Sequence, residues 1–138
     1  MKIQILKNIE DCVDGYNPII LDDTDLNIDA PDNSISEILI INSIEHLSYH
    51  NLDKLLMTIR KLLRLKGTLS INGVDINCIS RDLINRSIDV KTYNEIVFSK
   101  TGIYDSKELC EKLIGLGLTI DKVYLRGSIY EIKAIRLQ

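Results

Sequence analysis

Four consecutive branched apolar residues, Ile38-Leu39-Ile40-Ile41, constrain this chain more than any other feature. They follow a polar turn, Pro31-Asp32-Asn33-Ser34, and stop abruptly at Asn42-Ser43, with Glu45-His46 just beyond. An unbroken apolar run of this kind reads as a strand, Ser36 to Asn42, covered on both faces, as in a parallel sheet with helices on each side. A buried strand that ends in polar and ionisable groups marks a binding crevice, a helix cap, or the remains of a crevice no longer used.

The flanking pattern supports a parallel sheet. Leu52, Leu55, Leu56, Ile59, Leu62 and Leu63 recur at helical spacing, so an amphipathic helix is expected from about Asn51 to Arg64, with Gly67 ending it. Thr68 to Gly73 follows as a strand and completes a right-handed βαβ unit. Upstream, Lys2 to Leu6 and Pro18 to Asp22 read as strands. The connection between them is at or below the dozen or so residues of a parallel crossover, so something is shortened there. Asp25 to Asp29 reads as a third, very short strand. Downstream, Asp75 to Arg86 reads as a short helix, and Thr92 to Phe98 carries no clear pattern. Asp105 with Glu108 forms an N-cap pair opening a helix whose inner face is Leu109, Cys110, Leu113 and Ile114, closed by Gly115 and Gly117. Leu118 to Leu125 and Ile129 to Arg136 form an antiparallel hairpin through Arg126-Gly127-Ser128. The expected fold class is α/β: a three-layer sandwich with a mostly parallel sheet and a C-terminal antiparallel hairpin, in one domain over residues 1–138. In such sheets ligands sit beyond the carboxyl ends of the strands, which is where Asn42 to His46 fall.

Composition narrows the function. No apolar run approaches the roughly 20 residues that span a bilayer, and the opening MKIQILKNIEDC is too quickly broken by charge for a signal peptide. Cys12, Cys78 and Cys110 are odd in number and widely spaced, which fits free buried thiols in a reducing cytoplasm. The net charge of -3 hides an asymmetry: residues 1 to 37 carry nine acidic side chains and two lysines. A basic stripe, Lys54, Arg60, Lys61, Arg64 and Lys66, faces only Asp53 and reads as the solvated side of a helix. With a pI near 5.4 this is no nucleic-acid footprint.

The stretches DAPDNSISEILIINSIEHL and RKLLRLKGTLSINGVD, joined by the amphipathic helix, resemble the small class I S-adenosylmethionine-dependent methyltransferases (methyltransferase type 11-like). In that family an acidic-Ala pair precedes a Pro-Phe-x-Asp-Asn-Ser-like turn, a strand ends in Glu-His-Leu, and the next helix ends in an Arg-Val-Leu-Lys-Pro-Gly-Gly-like corner. Arg60, Leu63, Lys66 and Gly67 sit on that corner without its Pro. SKTGIYDSKELCEKLIGLGLTIDKVYL is similar to the family's last helix, Gly turn and final strands. The resemblance runs over residues 1 to 136, with the specific part at 29 to 75, and implies a Rossmann-like sheet.

The departure lies after the first strand. The family holds the amino-acid part of its cofactor on a Gly-rich turn there, where a side chain would block the approach. Here Lys7-Asn8-Ile9-Glu10 holds no glycine, Gly15 comes late, and the helix that should follow is largely missing. By resemblance, Asp22 would accept the ribose hydroxyls of S-adenosylmethionine, Asp29 and Ala30 would sit beside the adenine, and Asn42 and Ser43 would line the floor. Carboxylates suit hydroxyl donors because they offer only lone pairs and make the stronger, charge-assisted bonds. Glu45 and His46 are the catalytic candidates, His46 as a base toward an acceptor, set against a role in capping and packing the next helix. Asp75 could line the acceptor pocket, or cap a helix. His46 and His50, four apart, lack a third ligand for a metal. Tyr93, Tyr104 and Tyr130 could meet an acceptor or simply pack. Two readings follow: a minimal methyltransferase acting on a small molecule or a sugar, or a non-catalytic pseudoenzyme that keeps the sheet for association, as a homo-oligomer or with an active methyltransferase. The second carries its own expectation, an exposed apolar patch where the missing helix would have packed.

Overall fold

The Ile38–Ile41 run lies in the middle of the sheet. In the computed structural model, which describes residues 1–22 and 27–138, strands β1 (Lys2–Leu6), β2 (Asn17–Ile20), β3 (Ile35–Ile41), β4 (Leu63–Val74), β5 (Thr119–Arg126) and β6 (Ile129–Ile135) form one sheet in the order β2-β1-β3-β4-β6-β5. The first four strands are mutually parallel, and β6 runs antiparallel to both β4 and β5. The helices are α1 (Tyr49–Leu62), α2 (Ile76–Ile84), α3 (Val90–Phe98) and α4 (Ser106–Gly115). The fold is therefore α/β and Rossmann-like, closed by the antiparallel hairpin. The expected strand at Asp25 to Asp29 lies partly outside the described residues, and residues 27–29 have no regular structure.

Strand alternation divides the sheet into two unlike faces. Ile3, Ile5, Ile38, Ile40, Leu69, Ile71, Ile132 and Ala134 point one way and are buried against Leu52, Leu55, Leu56 and Ile59 of α1 and Leu109 and Leu113 of α4. The opposite face carries Lys2, Gln4, Glu37, Leu39, Ile41, Thr68, Ser70, Asn72 and Lys133, placed side by side by the register. Leu39 and Ile41 are only half-buried, so the run is not covered equally on both sides as its composition suggested. The third layer of the sandwich is thin: over β1 and β3 it consists of residues 7–16, which contain a single 3-10 turn at Ile9–Asp11. The face that a helix would cover is polar, not the apolar patch expected for an association module. Lys2 pairs with Glu37 at 3.3 Å, and the Tyr16 hydroxyl donates to the same carboxylate. Those bonds, Tyr16's first, hold the Glu37 carboxyl below its ordinary value, and the Tyr16 phenol is pushed up to about 12.

The joint between α1 and β4 differs from expectation in an instructive way. Ser48 caps α1 by accepting from the Asn51 N–H, so Tyr49 and His50 are its first turn and not a loop. The helix ends at Leu62 and β4 starts at once. The left-handed residue there is Lys66, at φ 64°, and not Gly67. Gly67 is needed for space instead, since a Cβ would stand 2.8 Å from the Arg64 carbonyl and 3.1 Å from that of Ile35. In the second half, Asp75, Asp89 and Asp105 cap α2, α3 and α4. The hairpin turns at Gly127, φ 63°, as its sequence implied.

Candidate functional site

A polar cleft of about 310 Å³ opens at the carboxyl ends of β1 and β3, between Lys7, Asn8 and Asp11 on one side and Asn42, Ser43 and His46 on the other. Its shape is set from below by Gln4. This side chain is 1% exposed, on the thin face of β1. A buried amide must satisfy both ends. It does so on the segment that follows the strand: Nε2 donates to the Asp11 carbonyl at 3.2 Å, and Oε1 accepts from the Val13 N–H at 2.7 Å. The 3-10 turn is thereby tied flat against the sheet. Asn42 is left-handed at φ 51°, and its N–H donates to Asn72 Oδ1 at 2.9 Å. The buried Ser43 hydroxyl donates to the Ile41 carbonyl.

The adjacent residues Glu45 and His46 separate. Glu45 is 1% exposed, and both of its carboxylate oxygens are used: Oε1 accepts from the Val74 N–H at 2.6 Å, and Oε2 pairs with Lys100 Nζ at 2.5 Å. Its carbonyl accepts from the N–H groups of Thr101 and Gly102. Glu45 thus ties the end of β4 to the turn after α3, with both carboxylate oxygens occupied. Gly73 is the residue that lets it in, because a Cβ there would stand 2.8 Å from Glu45 Oε1 and 2.9 Å from the Tyr130 hydroxyl. His46 does line the cleft. Burial, then the ammonium groups of Lys7 and Lys100, hold its pKa below the usual 6.5, so the ring is neutral at pH 7.

Asp75 is a buried helix cap. It is 2% exposed; Oδ2 accepts from the Cys78 N–H at 3.0 Å and Oδ1 from the Ser106 N–H at 2.8 Å, so one carboxylate joins the start of α2 to that of α4. Burial pushes its pKa up, but the two backbone donors outweigh burial and hold it below 3.8. Tyr104 and Tyr130 are core residues, and Tyr104 donates to the Leu47 carbonyl. Of the remaining candidates, Asn42 and Ser43 line the cleft with His46, while Asp22, Asp29 and Ala30 do not. Asp22 lies exposed beyond β2, beside a small hollow with Ile28 and Leu55, and Ala30 packs against the core. Among the described residues no three His, Cys, Asp or Glu converge where a metal ion could sit, and no helix is long and apolar enough to cross a membrane. Sequence reasoning missed Gln4, Lys7 and Lys100. Gln4 alone gave a signal, as the one polar residue at an interior position of KIQIL.

The cleft fits the amino-acid end of S-adenosylmethionine poorly. The turn after β1 offers side chains where a bare backbone is required, and the charges it brings are mixed, Lys7 with Asp11. Gly15, at φ 90°, is no substitute, because nothing lies within 4 Å of where its Cβ would be. It serves a turn and not a close approach.

No protein-family model and no curated protein matches the chain. Solved structures do. A SAM-dependent methyltransferase from Thermotoga maritima is 14% identical at a TM-score of 0.61, over 88% of this chain and 64% of that one. Another, from Archaeoglobus fulgidus, is 17% identical at 0.65, over 96% and 75%. A chain from the complex with the Trm112 methyltransferase activator of Haloferax volcanii is 10% identical at 0.63, over 94% and 65%. The chain spans less than two thirds of the first and third of these. With this sheet order, this hairpin and these neighbours, the chain has the fold of the class I S-adenosylmethionine-dependent methyltransferases.

Proposed function

We propose that this chain is a non-catalytic pseudo-methyltransferase that works by association with protein. The observation that carries this reading is the Gln4 tether. Both ends of a buried amide fix residues 7–16 as a short side-chain-bearing turn where the fold's cofactor cradle belongs. Two further facts support the loss of catalysis, although the apolar patch that association predicts on this face is absent. Glu45 is committed to Val74 and Lys100, and the sheet face left without a helix has polar residues at the positions a helix would cover. A fold that had merely lost a layer would expose an apolar face; this one has been re-surfaced to stand without it. The test is a melting curve with S-adenosylhomocysteine. A ligand at 100 times its Kd adds about 2.7 kcal/mol and would raise the melting temperature by several degrees. No shift at millimolar ligand is expected; a shift of that size overturns the reading.

A second reading, an active methyltransferase for a small molecule or a sugar, is favoured by the cleft itself, with neutral His46 as a base and Asp11 as an anion for the ligand's ammonium. In that case the shift appears, and Asp22→Ala abolishes it.

A further inference from the structure

The two margins of the sheet are treated differently. β2 is four residues long and carries Pro18, two devices that discourage pairing with another chain. β5 has eight residues and no proline, though it carries a bulge and the basic Lys122 and Arg126, and among the described residues no strand pairs with its outer side. Near its start Ile120 is packed against the core. Beyond a bulge at Asp121 the strand is bare: Val123, Tyr124 and Leu125 are 46%, 53% and 56% exposed. Val123 and Leu125 stand opposite the buried Ile132 and Tyr130, so they continue the apolar layer of the core face past the point where any helix covers it.

The exposed stretch is Lys122-Val123-Tyr124-Leu125-Arg126, basic–aliphatic–aromatic–aliphatic–basic, the same chemical sequence in either direction. The apolar centre of such a strand matches itself when turned around, while its basic ends meet like charge. A two-fold axis through Tyr124 sets Val123 against Leu125 of the other copy, twice, on the core face, and Tyr124 against Tyr124 on the other. An axis at Val123 would instead bury Leu125 against the carboxylate of Asp121. The Tyr124 axis brings Lys122 opposite Arg126, and Glu131, which faces Tyr124 from β6, lies behind them as a partial counter-charge.

We propose that β5 pairs antiparallel with β5 of a second copy about Tyr124, joining two six-stranded sheets into one. This rests on the association half of the reading above and not on the loss of cofactor binding. A ribbon of five residues is smaller than a standard interface, so the dimer is weak, and its opposed basic residues make it tighter in added salt. Sedimentation velocity from roughly 10 to 500 µM should show a monomer–dimer equilibrium that shifts toward dimer between low and high salt. Leu125→Lys, at an exposed position that should not disturb folding, should weaken it at least about tenfold. Lys122→Glu turns two like-charge pairs into opposite ones and should tighten it roughly tenfold. A monomer throughout that range, a dimer indifferent to Leu125→Lys, or a dimer that Lys122→Glu weakens or leaves unchanged overturns the pairing. Binding of S-adenosylhomocysteine by an intact dimer would overturn the non-catalytic reading and leave this pairing standing.

Discussion

Asp75 joins two helices, because one buried carboxylate receives first-turn N–H groups from both, Cys78 of α2 and Ser106 of α4. Asp75→Ala leaves both donors without a partner and should cost about 2–3 kcal/mol in a denaturant titration. The same bonds set a pH dependence. The folded pKa lies below 3.8, so the stabilisation is complete above that value and is lost as pH falls through the folded pKa. His46 acts with the same sign at higher pH: its folded pKa is below 6.5, so the unfolded chain takes up the proton first and stability declines as pH drops beneath 6.5. Melting temperatures should therefore fall in two stages on acidification, and His46→Gln should remove the upper one. At Gly73 the constraint is steric. Gly73→Ala must displace Glu45 or Tyr130 and should destabilise by about 1–3 kcal/mol. The sequence showed that Glu45, His46 and Asp75 stand at the end of the sheet. It could not show which of them faces solvent, because that depends on Val74, Lys100 and Ser106, remote in the chain.

Among the elements, those defined by local pattern were legible. The α1 stripe, the hairpin and the caps at Asp75 and Asp105 depend on residues a few positions apart, whereas the Asp89 cap of α3 went unread. Three things were not. Cover on the second face of β3 was inferred from Leu39 and Ile41, but apolar content cannot tell a helix from a flattened loop. Helix α3 has no buried residue, so it has no apolar periodicity to read. A glycine after a helix reads as a left-handed residue, but Gly67 is needed for space against the carbonyls of Arg64 and of Ile35, the latter 32 positions away in the chain. The 7–16 segment is the element on which the reading turns. Gln4→Leu keeps the strand but strands the Val13 N–H, and should cost about 1–2 kcal/mol. It should also make residues 7–16 the first site cut in limited proteolysis, whereas a loop held mainly by other contacts would be cut no sooner than in the parent protein.

The whole molecule is a methyltransferase fold with a reduced layer: one face of the sheet packed on α1 and α4, the other re-surfaced with polar residues and covered in part by a tethered turn. The cleft carries both signs, Lys7 beside Asp11. Lys7 and Lys100 both act on His46 as cations. The most direct measurement is a titration with S-adenosylmethionine followed through the backbone amide resonances of Lys7, Asn8, Asn42, Ser43 and His46. These should stay in place up to millimolar ligand. Saturable shifts confined to those five residues would show that the cleft still holds the methyl donor, and would contradict the claim that the cradle has been lost.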